Sequence, residues 1–196
     1  MDMTRPARSL GSGQGNGNGQ FNRPFDVGVD QEGNLYVADS NNHWVQKLSS
    51  EGTFIKHIGS KGTGPGEYRY PTGITIDQRR RRMIVSDYNY HRVQVLDLEG
   101  KFLFFLAGNQ GGRRGQGQGE FSGPYGVALS PSGSEIAVAD YSNDRVQIFG
   151  AEKGEHRRTI GKEGNQPGEL SSPSGVGYLS EDTLVIGDNG NQRLQV

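Results

Sequence analysis

The 196-residue sequence contains no cysteine, so it can form neither disulfides nor thiolate metal centres. A reducing compartment fits that composition, and a cytoplasmic location is the expectation. No stretch approaches the roughly 18 apolar residues of a membrane span. The N-terminal MDMTRPARSL also lacks the apolar core of a signal peptide, which predicts a soluble chain with no membrane partner. No charge sign dominates: 21 Lys and Arg stand against 22 Asp and Glu, so no overall field gathers nucleic acid, and any basic site must be local. Helical periodicity is missing as well. There is no cysteine nucleophile and no GxSxG serine elbow, and the glycine loops lack a Walker lysine and a following helix.

Glycine is abundant, at 32 residues, while apolar residues make up only 31%. Low-complexity chains share this balance with all-β proteins that turn often. Internal repetition separates the two. Four segments align: FNRPFDVGVDQEGNLYVADSNNHWVQKL from Phe21, YRYPTGITIDQRRRRMIVSDYNYHRVQVL from Tyr68, FSGPYGVALSPSGSEIAVADYSNDRVQIF from Phe121 and LSSPSGVGYLSEDTLVIGDNGNQRLQV from Leu170. Pro24, Pro71, Pro124 and Pro173 are 47, 53 and 49 residues apart; Asp39, Asp87, Asp140 and Asp188 are 48, 53 and 48 apart.

Each unit reads as four short strands divided by turn residues. In the first they fall near Phe25 to Asp30, Leu35 to Asp39, Trp44 to Leu48 and Thr53 to Ile58, with QEGN, SNNH and SSEG between them. A four-stranded sheet of this size cannot bury both faces alone, so neighbouring sheets must stack, and the repeat length favours radial stacking over a solenoid. The expected fold is therefore an all-β propeller of four blades, with repeats near 19–59, 66–108, 119–161 and 168–196. A remnant of a preceding outer strand is expected at 5–11, where Pro6 confines it to an edge. Gly11 to Gly19 looks like a linker by composition, but its register matches the link that enters each later unit. A closed four-bladed ring and part of a six-bladed propeller both fit, and incomplete edges would invite self-association.

PTGITID with IVSDYNYHRVQVLDLEG, and PYGVALS with VADYSNDRVQIF, resemble the NHL repeat pattern PxGIxxD followed by LYVADxxNHRVQVxD. The resemblance runs from about Leu10 to Val196 and implies a β-propeller. In animal tripartite-motif proteins it implies the C-terminal part of a ubiquitin ligase or RNA-binding regulator. The RING such a ligase needs is absent, so the chain itself is expected not to be an enzyme and to need no cofactor. Some NHL propellers resemble peptide-amidating lyases with a histidine-bound metal at the axis. Of the four histidines only His43 and His91 are in register, whereas a catalytic zinc takes three protein ligands.

Asp87 with Arg92, Asp140 with Arg145, and Asp188 with Arg193 flank four-residue loops between the second and third strands, so each pair is expected to face across a hairpin. Asn42, Asn143 and Asn191 sit in those loops, where asparagine tolerates a left-handed turn; Tyr90 takes that place in the second unit. Gln46, Gln94, Gln147 and Gln195 recur as expected contacts between units. A residue repeated in every blade serves architecture, so the exceptions are the candidate sites. Trp44 replaces the arginine of the first unit and is expected to leave Asp39 without a partner. Arg69, Tyr70, Tyr88, Tyr90, His91, Arg113, Arg114, Tyr125 and Tyr141 gather in loops at one end of the blades, where a protein partner or single-stranded RNA could bind. At the other end Arg79, Arg80, Arg81 and Arg82 share one turn and form a local anion-attracting knob, with an ordinary solvated turn as the alternative.

Overall fold

Strands form where turn residues bracket the short apolar runs. A computed structural model describes residues 9–108 and 112–196. In it the first repeat folds as β1 (Pro24–Val29), β2 (Leu35–Asp39), β3 (Trp44–Leu48) and β4 (Phe54–Ile58), each within one residue of the expected bounds. The second repeat forms β5 (Pro71–Asp77), β6 (Arg82–Asp87), β7 (Arg92–Asp97) and β8 (Phe102–Phe105). The third forms β9 (Pro124–Leu129), β10 (Glu135–Asp140), β11 (Arg145–Gly150) and β12 (His156–Ile160), and the fourth β13 (Pro173–Tyr178), β14 (Leu184–Asp188) and β15 (Arg193–Gln195). Every repeat is an antiparallel meander in chain order, and the four sheets are the blades of a β-propeller.

Innermost strands pack on one another in succession, β1 on β5, β5 on β9 and β9 on β13, and all four line one axial hollow. A register shift follows the strand-opening proline in β1, β5 and β13, and its counterpart lies opposite Pro124 in β10. Such bulges sharpen the local twist next to the axis. The core lies between the blades. Tyr36, Val45, Tyr68, Met83 and Leu96 fill the first gap; Ile84, Val95, Phe121, Ile136 and Phe149 the second; Ala137, Ile148, Leu170 and Ile186 the third. The second and third sheets are thus buried on both faces. The first and fourth keep exposed apolar side chains, with Val27 51% and Leu194 73% accessible.

The glycine-rich stretch folds as its register requires. Gln14 bridges Phe21 in parallel, as Lys61 does Tyr68, Arg114 does Phe121 and Glu163 does Leu170. The first four positions of the strand remnant expected at 5–11 lie outside the described residues. No helix among the described residues is long and apolar enough to cross a membrane.

Candidate binding face

The loops joining second to third strands are single 3-10 turns in the first three blades and an ordinary turn in the fourth, each followed by one left-handed residue. That residue is His43, His91, Asp144 or Gln192, with φ between 49° and 64°, and not the asparagine before it. The asparagine instead spends its amide. Asn42, Asn143 and Asn191 each donate to the aspartate three residues back and to a glycine carbonyl of the loop entering their own blade.

In the third blade Arg145 Nε reaches Asp140 Oδ2 at 2.8 Å, while its remaining nitrogens donate to the carbonyls of Gln116, Gly117 and Glu120. Arg193 repeats this arrangement with Asp188 and the carbonyls of Asn165, Gln166 and Glu169. Gln147 and Gln195 donate to the same aspartates and to the same incoming loops. The glutamines therefore tie the third strand to the loop that enters its own blade, which corrects the expected contact between units.

The second blade departs from this plan. Asp87 and Arg92 lie opposite each other in register but form no ion pair. Arg92 keeps its three loop carbonyls, at Thr63, Gly64 and Glu67, whereas Asp87 accepts the backbone N–H groups of Arg69, Tyr70 and Tyr90. Tyr90 is the cause. It has no side-chain amide to hold the carboxylate, and its ring lies 5.2 Å beneath the Arg92 guanidinium. In the first blade Trp44 does not orphan Asp39, because its indole Nε1 donates to Oδ2 at 3.2 Å, alongside Asn42 and Gln46. The indole stacks on His57 at 4.1 Å, away from the tyrosines.

The four arginines of the second blade's turn are each engaged by neighbouring residues. Arg79 donates to Ser132 O, Arg80 to Asp77 and Gly133 O, Arg81 to Glu32, and Arg82 to Asp77 and Ala151 O. One turn thus stitches together three blades, with two carboxylates, Asp77 and Glu32, set against its four guanidinium charges.

The loop end behaves otherwise. Tyr88 and Tyr125 meet at 5.8 Å, Tyr125 and Tyr141 stack at 5.4 Å, Tyr70 lies 6.4 Å from Tyr88, and Phe25 packs edge-on against Tyr125 at 4.9 Å. The tyrosines are half-buried, and their hydroxyls form no hydrogen bond among the described residues. With Arg23, whose guanidinium lies 5.8 Å from the Tyr70 ring, they line a hollow of about 300 Å³. Farther out are Arg69 over Tyr90, and Arg113 and Arg114, both exposed. Arg23, Phe25 and Asn89 were not among the candidate residues. Aligning the residues that flank the proline would have exposed the first two, since Arg23 and Phe25 stand where later units have Tyr70 and Thr72, Gly123 and Tyr125, and Ser172 and Ser174.

His43 and His91 do not converge on a metal. His43 Nδ1 lies 2.6 Å from Arg69 O, and His91 Nδ1 accepts the Gly123 N–H at 3.0 Å, so each clasps the next blade. Among the described residues no three His, Asp or Glu side chains gather to hold an ion.

The family described as "6-bladed beta-propeller" matches residues 13–107. The mouse peptidyl-glycine alpha-amidating monooxygenase is 31% identical over 75% of this chain, which spans 16% of that protein. Human NHL repeat-containing protein 3 is 28% identical over 67% of the chain, which spans 36% of it. Among solved structures, the computationally designed Ika4 protein superposes with a TM-score of 0.63 at 11% identity, covering 97% of each chain. These relatives support the NHL-type propeller. They also correct the expectation that the chain is not an enzyme, because an amidating enzyme stands among its relatives.

Proposed function

We propose that the tyrosine-lined mouth of the axis is a docking surface for an extended segment of a protein partner. The contiguous array of Phe25, Tyr70, Tyr88, Tyr125 and Tyr141 carries this reading. Tyrosine combines apolar contact area with a hydroxyl at low entropic cost, and four such hydroxyls here have no hydrogen-bond partner among the described residues. The turns beneath them are held by the buried aspartate networks, so the rings are presented in place and little ordering is lost on binding. One relative is named for acting on peptidylglycine, and the tripartite-motif propellers that the repeat pattern resembles would use such a face to recruit ligase substrates. Single-stranded RNA is less well served, because only Arg23 supplies positive charge within the hollow itself.

A random peptide library selected on the wild-type protein, with prior depletion on the Tyr88→Ala/Tyr125→Ala double variant, tests this. Peptides that bind the wild type and photo-crosslink to Tyr70 or Tyr141 are expected. Selected peptides that bind both proteins equally would sink the reading. So would a labelled decauridylate binding this face with a steep salt dependence while no peptide does.

A further inference from the structure

Beneath the tyrosines lies the axial hollow, of about 360 Å³, and Phe25 and Tyr125 form a wall common to both. Three blades enter it with proline, one variable residue and glycine: Pro71 to Gly73, Pro124 to Gly126 and Pro173 to Gly175. In two of the three the glycine has a steric cause, whereas Gly175 faces open space. A Cβ at Gly73 would stand 2.3 Å from Tyr125 O, and one at Gly126 would stand 2.6 Å from Ser174 O. The first blade breaks the rule with Asp26. Its Oδ2 accepts the Ile74 N–H of the next blade at 2.9 Å, and its Oδ1 accepts the Val27 N–H at 2.8 Å.

These two bonds fix the carboxylate in place without neutralising it. Asp26 is the only charged residue lining the axial hollow, and no cation among the described residues pairs with it. Burial, only partly offset by the two N–H bonds, raises its pKa above the usual value. A half-buried carboxylate with no counter-ion, walled by the edge-to-face pair Phe25 and Tyr125, has the two features that attract an organic cation: opposite charge and aromatic faces. Arg23 sets the opposite sign at the outer mouth, so a cation is favoured only if its chain is long enough to pass the tyrosines.

We infer that the axial hollow receives one lysine or arginine side chain of the bound segment, with Asp26 as its counter-ion and Phe25 and Tyr125 as its walls. The inference deepens the docking reading and rests on it. It identifies the partner by a basic residue at the point where the segment crosses the axis.

The Ile74 and Val27 amides report on Asp26 directly, so the test is an NMR titration of the isotope-labelled protein in chelator-containing buffer. The probes are Nα-acetyl-lysine amide and its uncharged counterpart Nα-acetyl-norleucine amide. The lysine compound is expected to shift both amides saturably, and the norleucine compound to bind about tenfold more weakly or worse, the effect of one modest ion pair with cation–π support. Asp26→Asn and Asp26→Gly should abolish the difference; the second restores the residue that three blades already carry. Equal shifts from both probes, or lysine shifts that persist in Asp26→Gly, would overturn the inference. Selected peptides that need the tyrosines yet are indifferent to a basic residue sink this inference alone. A lysine probe that engages Asp26 while no peptide needs the tyrosines sinks the docking reading alone.

Discussion

Arg145→Ala removes a guanidinium whose four hydrogen bonds join Asp140 to three carbonyls of the loop entering the third blade. The Asp140 side chain is fully buried and that of Arg145 only 14% exposed, so truncation strands a buried charge. Breaking such a pair costs about 3–5 kcal/mol. Asp140 retains donors from Ser122, Asn143 and Gln147, and the freed carbonyls can rehydrate, which places the expectation near the lower end, at about 3 kcal/mol. The second blade supplies an internal control, since Arg92 makes the same loop contacts without an ion pair to Asp87. Double-mutant cycles by urea denaturation should give a coupling of about 2 kcal/mol for Asp140 with Arg145, and below about 1 kcal/mol for Asp87 with Arg92. Equal couplings in the two blades would refute the argument that Tyr90 has uncoupled the second pair.

Three further expectations are open to simple measurement. Burial lowers the pKa of His57, His91 and His156, so the folded state prefers them neutral; stability is full above the ordinary value of 6.5 and is lost as pH falls through the folded values. His91→Asn, which keeps an acceptor for Gly123, should flatten the dependence of the urea midpoint between about pH 5 and 7, and an unchanged slope would remove His91 from the account. Trp44→Ala loses the His57 stack and the indole bond to Asp39 and should cost about 3 kcal/mol, whereas Trp44→Arg, which restores the repeat, should cost less; the reverse order would contradict the assignment. Arg82, buried against Asp77 and Ala151, should cost about 2–3 kcal/mol when changed to methionine, and exposed Arg81→Ala under about 1 kcal/mol. Comparable losses would mean that the turn is not the stitch described.

The blades were legible because proline, aspartate and glycine recur where the backbone needs them, and strand bounds followed from the short apolar runs. The recurring pairs were legible for two blades but not for the second, because the effect of Tyr90 on Asp87 depends on how a carboxylate rotates once a side-chain amide is missing. The arginine turn shows its charge in the sequence but hides its partners: Ser132, Gly133 and Ala151 come from another blade, about 50 to 70 residues away. The tyrosines stand out as candidates in the sequence, whereas Arg23 and Phe25 emerge only when the residues flanking each proline are aligned, which sets them at the positions of Tyr70 and Tyr125. Asp26 was hidden by the same habit of reading each repeat for what it shares.

Calorimetric titration of one selected peptide into the wild type, Tyr125→Ser and a distant surface variant such as Leu103→Ser tests the central claim most directly. The account predicts an affinity loss of about thirtyfold for Tyr125→Ser, the effect of removing an aromatic hot spot of about 2 kcal/mol, and no change for Leu103→Ser. An affinity indifferent to Tyr125, or one lost equally with Leu103→Ser, would contradict it.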